Sequence, residues 1–229
     1  MDRYNIINGK NKREIVLLKS FPCAWGKCSF CDYIEDNSKN KEEILKINDE
    51  VLSKITGVHG VLEVINSGSV FEIPKESLEQ IREIVKSKNI KRLYFEAHWC
   101  YRKRLQEIKD FFGVEVIFKT GMETFDEDFR NNVLNKNIKY KDIEEVKSYY
   151  DSICLMVGIE GQTKEMIERD MDIVINEFPK ATINIWTENS TRFKRDEEII
   201  KWFQEKYRFL ENNENIEVLF ENTDFGVGD

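Results

Sequence analysis

Long apolar runs are missing from this chain of 229 residues: none approaches the roughly 18 residues that a membrane span requires. The opening Met1-Asp2-Arg3-Tyr4-Asn5 carries charge with no apolar stretch behind it, so it does not read as a secretory signal. The protein is therefore expected in the cytoplasm, where thiols stay reduced, and with no membrane partner. Low-complexity tracts, Gly/Ser linkers and breaks in composition are absent too. A single domain over 1–229 is expected, with its core at about 15–210 and a last strand and tail at 211–229. Surplus positive charge is also lacking, because 35 Lys and Arg face 43 Asp and Glu, a net charge of −8. The short basic runs Lys91-Arg92 and Arg102-Lys103-Arg104 have acidic residues a few positions away, at Glu96 and Glu107. Phosphate-backbone binding calls for clustered, uncompensated cations. A small-molecule substrate is expected, and no nucleic acid.

Hydrophobic residues are nonetheless 41% of the chain and aromatics 12%, a globular composition. Short apolar runs predict strands at Ile15–Leu18, Val61–Ile65, Leu93–Phe95, Val114–Phe118, Ile153–Val157, Thr182–Trp186 and Ile216–Phe220. Between them, apolar residues three or four apart predict helices: Ile44, Ile47, Val51 and Ile55; Leu78, Ile81 and Val85 after Pro74; Leu105, Ile108 and Phe112. Later helices carry Ile143 and Val146, then Ile167, Met171 and Val174, then Ile199, Trp202 and Phe203. This alternation implies an α/β fold of parallel strands joined by helices. Too few units are present for a closed eightfold barrel. A partial (β/α)6 TIM-like barrel fits best, ahead of a doubly wound sheet. Either way, the loops after the strands' carboxyl ends form the active face.

The first of those loops runs through Cys23-Ala24-Trp25-Gly26-Lys27-Cys28-Ser29-Phe30-Cys31, a C-x4-C-x2-C pattern. Three is an odd number for disulfides, and a reduced compartment disfavours them. A structural zinc site, in a zinc-stabilised binding module, would want a fourth ligand. The remaining candidates His59, His98, Cys100 and Cys154 include no second close pair, and Cys154 lies in an apolar strand where a buried thiol is ordinary. Three thiolates without an obvious fourth suit an iron–sulfur cluster with one iron left open. Zinc remains the competing reading. In the same pattern, Asn66-Ser67-Gly68-Ser69 follows the second strand, and Glu96 with His98 follows the third. Lys119-Thr120-Gly121-Met122-Glu123-Thr124 follows the fourth, ahead of Arg130 and Lys136, and Gly158 with Gly161 follows the fifth.

Three close cysteines after the first strand, with an aromatic before the third, resemble the signature of the radical S-adenosylmethionine (SAM) superfamily. The extra residue between Cys23 and Cys28 departs from its commonest spacing. The resemblance implies a [4Fe–4S] cluster on Cys23, Cys28 and Cys31 that binds SAM at its open iron, fed by an electron donor such as flavodoxin or ferredoxin. It implies that Phe30 lies near the adenine and that Ser67, Gly68 and Ser69 receive the SAM amino group. Glu96 joins the cofactor-binding candidates. Glu123 would take the ribose hydroxyls, Arg130 or Lys136 the SAM carboxylate, and Gly158 the adenine side.

The carboxyl end, Glu221-Asn222-Thr223-Asp224-Phe225, follows an apolar strand and is expected to seal the active site. Its carboxylates suit the N1–H and amine of a guanine-like base, and Phe225, Trp186 or Trp99 could stack on such a base. With the short length, the cysteine spacing and the Ser-Gly-Ser segment, this motif resembles the queuine lyase family. That resemblance implies cleavage of queuine to 7-aminomethyl-7-deazaguanine (preQ1). Glu221 or Asp224 would hold the deazaguanine edge, and Asn222, His98 or Arg192 the diol or amine. A radical SAM enzyme acting on tRNA is the alternative.

Overall fold

Each apolar run of the sequence forms a strand, and each periodic segment a helix, in the computed structural model, which describes residues 2–220 and 226–227. The described residues form two compact units: 2–26, 33–119 and 226–227 in the first, 27–32 and 120–220 in the second.

The first unit carries β1 (Tyr4–Ile7), β2 (Arg13–Leu18), β3 (Val61–Asn66), β4 (Arg92–Glu96) and the first five residues of β5 (Glu115–Glu123). Its helices are α1 (Lys41–Leu52), α2 (Lys75–Ser87) and α3 (Leu105–Phe112). β2, β3, β4 and β5 pair in parallel, with Val16 opposite Val64, Val64 opposite Phe95 and Phe95 opposite Phe118. β1 was not expected. It adds an antiparallel edge, Tyr4 opposite Val16, across a turn in which Asn11 takes a φ of 54°. α1 starts where Asn40 accepts from the amides of Glu42 and Glu43, and α3 stops at the left-handed Gly113. Ile15, Val16, Leu62, Val64, Leu93 and Phe95 are buried, each contributing about 1.5–3 kcal/mol. The core also holds charge: Glu63 is salt-bridged to both Arg13 and Lys119. Burial would raise the Glu63 carboxyl, but Lys119 and Arg13 outweigh it and hold it below the usual carboxylate range.

The second unit carries the end of β5, then β6 (Ser152–Val157), β7 (Lys180–Ile185) and β8 (Ile216–Leu219), with α4 (Ile143–Lys147), α5 (Lys164–Glu177) and α6 (Glu197–Lys206). β6–β7 and β7–β8 are parallel, Cys154 opposite Thr182 and Ile183 opposite Val218. Every residue of β6 is buried, as a strand covered on both faces must be. Thr163 and Asp196 cap α5 and α6 by accepting from Met166 N and Ile199 N. Gly158 has a φ of +87°, and a Cβ there would strike Ile200 of α6. No described helix is long and apolar enough to cross a membrane.

Candidate active site

The first unit brings Cys23 onto the turn that follows β3. A Cβ built on Gly68 would stand 3.5 Å from Cys23 Cα, an ordinary contact, and 3.1 Å from Glu72 Oε2, so the turn lies directly against the Cys23 backbone and the Glu72 carboxylate. Asn66 donates to Ser20 Oγ and to the Ser69 carbonyl, both at 3.1 Å. Ser67 Oγ donates to Asp36 at 3.2 Å, and Ser69 Oγ accepts from His98 N at 2.9 Å. The ring of His98 stacks on Trp25 with centroids 6.3 Å apart and an interplanar angle of 6°. Its Nδ1 accepts from Cys100 N at 3.3 Å. Glu96 ends β4, in register with Lys119. Glu72, which sequence reasoning passed over, joins this end of the unit. Its carboxylate accepts from Ser69 N at 2.5 Å, Ala24 N at 3.2 Å and Tyr101 OH at 2.6 Å.

The second unit holds Cys28, Phe30 and Cys31 on a segment fixed from several sides. Ser29 N donates to the Leu134 carbonyl at 3.0 Å, and Ser29 Oγ to that of Val133 at 2.6 Å. Asn189 donates to the Phe30 carbonyl at 2.8 Å and to Asp32 Oδ1 at 3.1 Å, while Ser190 N donates to Asp32 Oδ2 at 3.0 Å. Asp32 and Asn189 were also missed. The ring of Phe30 meets Trp186 edge-on at 6.3 Å and packs on the cluster of Phe129, Leu134, Met156, Ile159, Trp186 and Phe193. The indole N–H of Trp186 is buried with no hydrogen-bond partner, a donor that a ligand can satisfy.

Lys136 and Glu123 form the charged part of this unit's site. They pair at 2.6 Å, and Lys136 Nζ lies 5.3 Å from the centre of the Phe30 ring. Burial opposes the charge on Lys136, but Glu123, and then Cys28 and Cys31, outweigh it and raise its pKa. Glu123 takes a left-handed φ of 64°, a strained backbone of the sort found where side-chain direction matters. A Cβ at Gly121 would collide with the Glu123 carboxylate and come within 2.8 Å of Lys136 Nζ, so glycine makes room for the pair.

Other expected residues are engaged elsewhere. Arg130 is buried and donates to the carbonyls of Thr124 at 3.0 Å and Ile138 at 3.3 Å, which directs it at main chain. Gly158 uses its N–H on Gln162 Oε1 and its carbonyl on Asp196 N, both at 2.8 Å, and its conformation answers to α6. Arg192 is exposed, its guanidinium 5.1 Å from the Phe193 ring centre. Trp99 is buried beneath Arg102. Glu221, Asn222, Asp224 and Phe225 lie outside the described residues. None of the five cysteines is in a disulfide. Among the described residues, no three His, Cys, Asp or Glu side chains stand close enough to form a ready-made metal site.

No family model matches the chain. A solved structure of queuine lyase from Clostridium spiroforme, bound to SAM and queuine, is 60% identical to it, with a TM-score of 0.98 and 100% of each chain covered. This chain belongs to the queuine lyase family. The radical SAM resemblance read from the cysteine segment, and the partial (β/α)6 barrel read from the alternation of strands and helices, are both borne out. Two structures of Streptococcus suis SuiB, one bound to S-adenosylmethionine, reach TM-scores of 0.54 and 0.53 at 14% and 15% identity, a likeness of fold alone. They cover 91% of this chain and 49% and 47% of their own. An uncharacterised protein of Methanocaldococcus jannaschii is 27% identical over 149 residues, 58% of this chain and 41% of that protein. The chain thus spans less than half of that relative's length.

Proposed function

We propose that the chain is a radical SAM lyase that cleaves queuine to 7-aminomethyl-7-deazaguanine (preQ1), breaking the bond between the cyclopentenediol and the aminomethyl nitrogen. One observation carries this reading: 60% identity and a TM-score of 0.98, end to end, with a queuine lyase bound to SAM and queuine. The donor set fits the cofactors. Cys23, Cys28 and Cys31 supply three soft thiolates, none lost to a disulfide. When bound, the [4Fe–4S] cluster and SAM supply a 5′-deoxyadenosyl radical that removes a hydrogen atom from the substrate.

The chain's own residues position the reactants. Lys136, kept cationic by Glu123, meets the SAM carboxylate, while Glu123 turns its second oxygen to the ribose hydroxyls. Ser67, Gly68 and Ser69 receive the SAM amino group, with Glu96 beside them. Phe30 lies along the adenine, and Trp186 offers its unpartnered N–H at the same apolar wall. Glu221, Asn222 and Asp224 are assigned to deazaguanine recognition from their chemistry alone, with His98 and Arg192 as further polar contacts. The chain works as one catalytic domain in the cytoplasm, on the free base rather than on nucleic acid, with flavodoxin or ferredoxin as reductant.

Anaerobic incubation with SAM, reductant and queuine, followed by mass spectrometry, tests this directly. The expected products are 5′-deoxyadenosine and preQ1 in step. Formation of 5′-deoxyadenosine with queuine untouched removes the substrate assignment, and zinc in place of iron and sulfide removes the chemistry altogether.

A further inference from the structure

We propose that Glu72 is a positioning residue for the first cluster ligand, fixing the Cys23–Ala24 peptide against the Ser67–Ser69 turn and setting a negative charge beside it. This rests on the function proposed above and adds a residue to its machinery.

Glu72 is 6% exposed and closes a short turn at Val70–Glu72, opened by Ser69. Part of its bonding is local. Oε2 accepts from Ser69 N at 2.5 Å, which is half of a capping box. A cap requires nothing further, yet the other oxygen accepts from Ala24 N at 3.2 Å, 48 residues away, and from Tyr101 OH at 2.6 Å, 29 residues away. Its carbonyl also accepts from Phe21 N at 3.0 Å. One residue thus ties down the chain on both sides of Cys23. Gly68 lies between, with its missing Cβ 3.1 Å from Oε2 and 3.5 Å from Cys23 Cα. Charge-assisted bonds from amide to carboxylate are about twice as strong as neutral ones. A glutamine offers one oxygen and one NH2, and the NH2 cannot accept from either amide.

The test compares the full chain with Glu72→Gln, Glu72→Asp and Tyr101→Phe. In apoprotein, iodoacetamide labelling is read on tryptic peptides, where cleavage at Lys27 separates Cys23 from Cys28 and Cys31. In reconstituted protein, the midpoint potential and the SAM-induced change in the reduced cluster's electron paramagnetic resonance spectrum are titrated. Glu72→Gln is expected to label several-fold faster at Cys23 but not at Cys28 or Cys31. Its potential should move positive and its SAM dissociation constant rise about tenfold, ~1.4 kcal/mol. Glu72→Asp keeps the charge but shortens the tether, so its labelling should rise while its potential holds. Tyr101→Phe leaves both amides bonded and should stay within twofold of wild type. Wild-type labelling and potential in Glu72→Gln, whatever its melting temperature, overturn the proposal. Should Glu72→Gln not fold, unchanged Cys23 labelling in Glu72→Asp overturns it equally. Failure of wild type to take up iron and sulfide sinks the proposed function instead, and the apoprotein labelling still decides the role of Glu72.

Discussion

Lys136 and Glu123 show how closely side chains and backbone are matched at single positions. The two side chains are 12% and 10% exposed, so removing either leaves its partner charged in a dry place. Lys136→Met is expected to destabilise the fold by about 3–5 kcal/mol in urea titration, against well under ~1 kcal/mol for an exposed ion pair. The variant should also bind SAM more weakly. At Gly158, alanine meets Ile200 in a backbone region that L side chains avoid. Overpacking and strain together predict a loss of about 2–4 kcal/mol for Gly158→Ala, again read by urea titration. The cysteine triplet could be read from sequence because covalent spacing alone keeps its members near one another. Glu72 and Asn189 could not, since their informative partners lie 48 and 159 residues away. The burial of Arg130 against the Thr124 and Ile138 carbonyls was not legible either, because a buried guanidinium and a solvated one are spelled alike.

Among the elements, all seven strands with an apolar run were legible, as were the six helices with a three-to-four period. β1 was not, because Tyr-Asn-Ile-Ile is too short and too exposed to stand out before it pairs with β2. β5 runs on through Gly121 to Glu123, although a glycine ordinarily marks the end of a strand. α5 carries a testable liability. Asp170 is 2% exposed and accepts from Phe125 N at 2.7 Å, and burial raises its carboxyl from 3.8 to about 7. The folded state therefore holds this proton more tightly than the unfolded chain does. The associated stability is whole below about pH 4 and drains away as pH rises through about 7. Thermal melts of Asp170→Asn should lack the decline that wild type shows between about pH 4 and 7, and parallel profiles for the two proteins would refute the assignment.

At the scale of the molecule, strand–helix alternation was enough to predict the partial barrel, because that pattern admits few ways to bury a parallel sheet. The grouping of residues 27–32 with 120–220, apart from their chain neighbours, was not legible. Ligands that bind only the folded protein stabilise it in proportion to their saturation. At about one hundred times its dissociation constant, SAM should add ~2.7 kcal/mol, or roughly 5–10 °C in melting temperature for a chain of this size. Calorimetry of reconstituted protein checks this, and a shift with SAM in protein stripped of iron would contradict the proposed mode of binding. The anchoring of residues 27–32 also bears on biosynthesis. Ser29 waits for Val133 and Leu134, and Phe30 and Asp32 wait for Asn189. On the ribosome, two of the three thiols emerge long before the residues that hold their loop have been made. Iron and sulfide should therefore load after translation is nearly complete, and nascent chains released short of Asn189 should be poor substrates for the cell's cluster-delivery proteins.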